Sequence, residues 1–128
     1  MKKKKVFILS DGSESVQEMA EQIALLLKDS DVSVKKAAEF QGTDLLPADI
    51  LFIGCEAPSP GTFSYIEDLF KHINLAGRYC GVFSSGSEPA IDYLKALLKD
   101  CDITVNPEPL LNSQNTAVWV KKTVTSSD

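Results

Sequence analysis

Apolar residues along this chain follow two spacings: short unbroken blocks, and runs that recur every three or four positions. Val6, Phe7, Ile8 and Leu9 form a continuous block that Ser10, Asp11 and Gly12 end at once, the pattern of a strand buried on both faces. It predicts a first, central strand. Val16, Met19, Ala20, Ile23, Ala24 and Leu27 then fall at helical spacing, with Gln17, Glu18, Glu21 and Lys28 on the opposite face. Ser15 and Glu18 have the form of a capping box, which would start this helix near Val16. Val32 to Lys35 alternates as an exposed second strand does, and Ile50 to Ile53, inside Asp49 to Gly54, repeats the buried block as a third. Between them Glu39, Gln41, Gly42, Thr43 and Asp44 read as a polar loop whose acids face solvent.

The alternation continues. Tyr65, Ile66, Leu69, Phe70 and Ile73 predict a second helix, with Ser64 and Glu67 as its capping box and Gly77 to end it. Arg78 to Phe83 fits a fourth strand, and Ile91, Leu94, Leu97 and Leu98 a third helix capped at Ser87 or Glu88 with Pro89 in its first turn. Ile103 to Val105 fits a short fifth strand, and Ala117 to Val124 a last helix capped near Asn115, in preference to the strand its valines also allow. Strands and helices in turn require right-handed crossovers and a mostly parallel sheet covered on both faces. Ligands of such sheets sit at the carboxyl ends of the strands. The loops after the first, third and fourth strands therefore hold the candidate chemistry.

Composition narrows the field. A chain of 128 residues fits one domain, spanning 1–128, and 44% hydrophobic with 24% charged residues matches a water-soluble globular protein. No apolar run approaches the roughly eighteen residues of a membrane span. Met1 to Lys5 imitates the start of a signal peptide, but the apolar stretch stops after Leu9, so a cytoplasmic location is expected. The Lys2 to Lys5 run reads as protection of the following strand against edge pairing, and Thr123 to Asp128 as a small polar tail that frays. A net charge of -5 repels phosphate backbones and argues against nucleic acid.

The reactive side chains are sparse. Cys55, Cys80 and Cys101 are odd in number and outside any CxxC pair, which indicates neither a disulfide framework nor a zinc site. Cys55 follows the third strand, where a thiol would face the cleft, yet Glu56 beside it gives a thiolate little help. His72 lies on a charged helix face with no nucleophile signature to accompany it, and Trp119 is expected to anchor the last element to the sheet.

The first loop, Ser10-Asp11-Gly12-Ser13-Glu14-Ser15, offers hydroxyls, flexible backbone and the positive end of a helix dipole. That combination suits a phosphate, and equally a plain turn whose serines cap the helix. The loop resembles the phosphate loop of the flavodoxin family, Ser/Thr-x-Thr-Gly-x-Thr after the first strand, with Ser10 and Ser15 at its first and last positions. Ala48 to Gly54 is similar to the family's third strand, opening into a first flavin loop that here contains Pro58, Ser59, Pro60 and Gly61. Gly81 to Ser87 is similar to its fourth strand and second flavin loop, here Ser84, Ser85, Gly86 and Ser87. The resemblance runs through nearly the whole chain.

It implies a flavodoxin-like three-layer α/β sandwich with a five-stranded parallel sheet of order 2-1-3-4-5. It further implies flavin mononucleotide (FMN) held non-covalently at the ends of strands one, three and four by those three loops. The implied task is electron transfer rather than catalysis on a substrate of its own, with a redox protein docking through a basic surface. Two departures stand out. Gly12 and Ser13 occupy places where the family has Thr and then Gly, with Glu14 for a common Asn, and the flavin loops carry no aromatic before Phe63, which is expected to pack at its own helix. They motivate an alternative, a flavodoxin-like binding or regulatory module that has lost flavin. A phosphate-ester enzyme at the same edge lacks a nucleophile, metal cluster or base in the sequence.

Overall fold

The computed structural model describes residues 4–112 and 115–126. Strands β1 (Lys5–Ser10), β2 (Asp31–Lys36), β3 (Ile50–Gly54), β4 (Tyr79–Phe83) and β5 (Thr104–Val105) form one parallel sheet, in the order β2-β1-β3-β4-β5. The unbroken apolar blocks account for this placement. From Val6 onward β1 is buried, as is all of β3, because both have strands on either side and helices on both faces, whereas alternating β2 lies at an edge. The middle strand is β3, with β1 next to it.

Four helices, α1 (Glu14–Leu26), α2 (Ser64–Phe70), α3 (Glu88–Leu97) and α4 (Thr116–Ser126), cover the sheet. Successive strand residues point to opposite faces, so each block feeds two cores. Phe7, Leu9, Leu51, Ile53, Cys80 and Val82 pack with Ile66, Phe70 and Leu94 of α2 and α3. Val6, Ile8, Ile50 and Phe52 pack with Met19, Ile23, Trp119 and Val120 of α1 and α4. Each such side chain contributes about 1.5–3 kcal/mol of burial.

Gly81, on the α1/α4 face of β4, makes the seat for α4. A Cβ there would lie 2.8 Å from Trp119 Cζ2, so the indole rests on bare backbone, with Phe52 at a ring separation of 5.4 Å. The indole N–H donates to the Glu108 carbonyl at 2.7 Å. Helical spacing brings Trp119, Val120 and Thr123 to the sheet together, and the valine-rich segment is therefore a helix, as expected.

The helix starts differ from the expected ones. α1 begins at Glu14, because Ser13 is extended and its carbonyl already accepts the Gln17 N–H at 2.8 Å, which leaves Ser15 inside the helix and unable to cap it. α2 grows directly from a 3-10 turn at Gly61–Phe63 and ends at Phe70; Ser64 Oγ donates back to the Gly61 carbonyl, and Glu67 is drawn to Tyr93. Gly77, at φ 86°, turns the chain toward β4 well beyond the end of α2. Ser87 caps α3 as anticipated, its hydroxyl accepting the Ala90 N–H at 3.1 Å.

Asp44 is not a free surface acid: it pairs with Lys35 at 3.2 Å and accepts the Gln41 N–H at 2.9 Å. Thr123, the first residue of the supposed tail, is buried and donates to the Trp119 carbonyl at 3.0 Å. Lys2 and Lys3 of the basic run, and residues 127–128 of the tail, lie outside the described residues. Among the described residues no helix is long and apolar enough to cross a membrane.

Candidate functional site

Parallel register brings the carboxyl ends of β1, β3 and β4 side by side, with Ser10 opposite Gly54 and Gly54 opposite Phe83. The three loops that follow meet at one edge. Ser15 Oγ donates to Ser85 Oγ at 2.9 Å, joining the first loop to the third, and the Glu56 N–H donates to Asp11 Oδ2 at 2.8 Å, joining the first to the second. Thr62 Oγ1 donates to the Asp11 carbonyl at 3.2 Å from the turn that starts α2. Residues 10–15, 56–62 and 84–87 are thus neighbours in space.

Within the first loop, Ser10 is buried; its hydroxyl donates to Gln17 Oε1 at 2.6 Å and accepts the Gly12 N–H at 3.3 Å. Gly12 takes φ 91°, a conformation that a residue with a Cβ rarely adopts. Asp11 Oδ1 accepts both the Ser13 N–H at 2.9 Å and the Ser13 hydroxyl at 2.6 Å, so Ser13 does not cap α1 with its side chain. The amides of Glu14, Ser15 and Val16 consequently meet no acceptor among the described residues. Three N–H groups and the positive end of a helix of 13 residues face the edge together. Glu14 itself is exposed.

In the second loop Pro58, Ser59 and Gly61 are exposed and Pro60 half-buried, with Ser59 in the left-handed region at φ 51°. Phe63 is fully buried and packs 6.3 Å from Tyr93, inside the α2/α3 core and away from the edge. In the third, buried Ser84 accepts the Ser87 N–H at 3.4 Å, Gly86 turns at φ 115°, and Ser87 serves α3. Beneath the loops the Tyr93 hydroxyl donates to Glu67 Oε2 at 2.6 Å, tying α3 to α2; burial, then that bond and Glu67's charge, push the phenol upward. Cys55 lies fully buried at the end of β3, its thiol pushed up to about 12 by burial and then by the charge of Asp11. It is a neutral thiol.

Several residues of this edge escape a sequence reading. Gln17 locks Ser10, and Thr62 reaches Asp11 from the next turn. Lys36 ends β2 opposite Ser10, exposed, its stem 3.9 Å from where a Gly12 Cβ would lie. The parallel pairing of β1 and β2, once recognised, is the signal that places this cation beside the first loop. Along the outer side of the first and third loops, a hollow of about 340 Å³ is lined by Ser15, Glu18, Met19, Gln22, Ser85 and Asn112.

The chemistry of the residues fits FMN at its phosphate end, where the uncapped amides and Ser15 open α1 and the Lys36 stem lies beside Gly12, while its ring would rest on loop backbone without aromatic partners. No protein-family model matches the chain, and no curated protein does. Solved structures resemble it along its whole length. A short-chain flavodoxin associated with a non-canonical PDU bacterial microcompartment matches at TM-score 0.84 with 17% identity over 100% of both chains. Oxidised flavodoxin 2 from Bacillus cereus matches at 0.78 with 17% identity, over 96% of this chain and 97% of that one. A Fusobacterium nucleatum flavodoxin bound to FMN matches at 0.72 with 12% identity, over 96% of each. The fold of this protein is flavodoxin-like.

Proposed function

We propose that this protein is a flavodoxin-type electron carrier that binds FMN non-covalently at the joined ends of β1, β3 and β4. The observation that carries the reading is the trio of unpartnered amides at Glu14, Ser15 and Val16, at the point where the first and third loops touch through Ser15 and Ser85. Those amides would hold the phosphate, with the Ser15 hydroxyl turning to it from Ser85 and Lys36 as counter-charge. Pro58 to Gly61 and Ser84 to Ser87 would flank the ring. Bound there, the flavin supplies the redox chemistry, and no side chain of the edge need act as acid or base.

Without aromatic flanks the ring forgoes about 0.5–1.5 kcal/mol per missing stacking pair, so affinity is roughly tenfold to a hundredfold below that of a doubly stacked site. Glu14, Glu18, Glu56, Glu88 and Asp92 are exposed around the edge, which suits docking to a redox partner with a basic surface. Titration with FMN, followed by flavin fluorescence and visible absorption, tests the reading: saturable quenching is expected. No change at high micromolar FMN would favour a second reading, a binding module without flavin. Asp11 favours that reading, since its carboxylate already fills the loop donors at Ser13 and Glu56.

A further inference from the structure

We infer that Asp11 is a positioning and selectivity residue: its carboxylate fixes the spacing between the first two loops, and its charge works against the phosphate of FMN, narrowing the edge's preference for FMN over a flavin without phosphate. The first half stands on geometry alone; the second rests on the flavin reading above.

Both carboxylate oxygens are engaged. Oδ1 takes the Ser13 N–H at 2.9 Å and the Ser13 hydroxyl at 2.6 Å, and Oδ2 takes the N–H of Glu56, 45 residues away in sequence, at 2.8 Å. The Asp11 carbonyl accepts from Thr62 at 3.2 Å. One residue thus joins the loop after β1, the loop after β3 and the turn into α2. Bonds to an ionised acceptor are roughly twice as strong as neutral ones, and an amide side chain has a single acceptor oxygen to offer in their place.

The same negative charge sits just ahead of the uncapped amides of α1. Glu14 from α1 and Glu56 from the second loop add to it, Lys36 from β2 opposes it, and the neutral Cys55 thiol lies behind. Organisation and repulsion therefore act in opposite directions on FMN. Riboflavin, which has the same ring and ribityl chain without the phosphate, separates them by sign: in the ratio of the two dissociation constants the organisation of the ring loops cancels, loosening of the first loop moves the ratio away from FMN, and loss of the charge moves it toward FMN.

Asp11→Asn and Asp11→Ala are compared with the parent by amide hydrogen exchange without flavin and by fluorescence titration with FMN and with riboflavin. Exchange at Ser13 and Glu56 is expected to quicken by about tenfold or more while the amides of β3 and β4 keep their protection, which also certifies folding. The affinity ratio is expected to move toward FMN by about fivefold or more. Unchanged exchange at both amides overturns the joint, whatever the flavin does. Flavin binding with a ratio that is unchanged or moves away from FMN overturns the selectivity alone. If neither flavin binds any of the three proteins, the selectivity falls together with the cofactor reading, and exchange still decides the joint.

Discussion

At the end of β3 a thiol, a carboxylate and a backbone amide share one small space, and they divide it without any of them being left reactive. Asp11 takes the amide of Glu56, and its charge adds to burial in keeping the Cys55 proton on sulfur. Burial raises Cys80 and Cys101 as well, and Tyr93 moves the same way. A group whose folded pKa lies above its unfolded value loses its proton first from the unfolded chain, so stability is undiminished below the unfolded value and declines above it. For Cys55 that window opens near 9.0 and runs to about 12. The urea midpoint is expected to stay level from pH 7 to about pH 8.5 and to fall by pH 10.5, with a shallower fall in Cys55→Ala. A midpoint that held steady through pH 10.5 would contradict it.

Elements were legible where one physical rule decided them. The unbroken blocks at Val6 to Leu9 and Ile50 to Ile53 need burial on both faces, and helical spacing placed α1, α3 and α4. The caps were harder to read, because competition decides them: Ser15 and Glu18 have the right spacing, but Asp11 captures Ser13 and the helix has already begun. Phe63 was readable as a packing residue, whereas Thr62, Gln17 and Lys36 reach the edge through a loop-to-loop bond, a helix-to-strand bond and strand pairing that spacing along the chain does not show. Gly81 gives this scale its own test. Its substitution by Ala puts a methyl within 2.8 Å of Trp119 Cζ2 and 3.0 Å of Phe52 Cδ1, both held in a packed core. The expected loss is about 1–3 kcal/mol in urea or thermal unfolding, with the strand-end edge unaffected.

Across the whole molecule acids outnumber bases, and they do so at the loop edge. The net charge is -5, and exposed Glu14, Glu18, Glu56, Glu88 and Asp92 crowd the edge where the loops meet, faced there by Lys36. At the opposite, amino end of the strands the charges are mixed: Lys5 and Arg78 lie there with exposed Asp31, Asp49 and Asp102, and Arg78 is turned to the Leu45 and Leu46 carbonyls at 3.0 and 3.1 Å. In the proposed role, the surplus of acids at the loop edge would steer that edge toward a basic acceptor. With flavin loaded, the rate of electron delivery to cytochrome c is expected to fall several-fold between about 10 mM and 300 mM salt, as the Debye length shrinks from roughly 30 Å to under 10 Å. A rate independent of salt would remove the acidic edge from the account of docking.

The indole seated on Gly81 has a practical consequence. The chain holds one tryptophan, walled off from water and pinned at its ring nitrogen, so its emission belongs to one place: the joint between the final helix and β4. Light from that ring reports whether the last element is docked, and it does so from the face of the sheet where α1 and α4 lie together. The protein carries its own optical gauge of assembly, and no label need be added to read it.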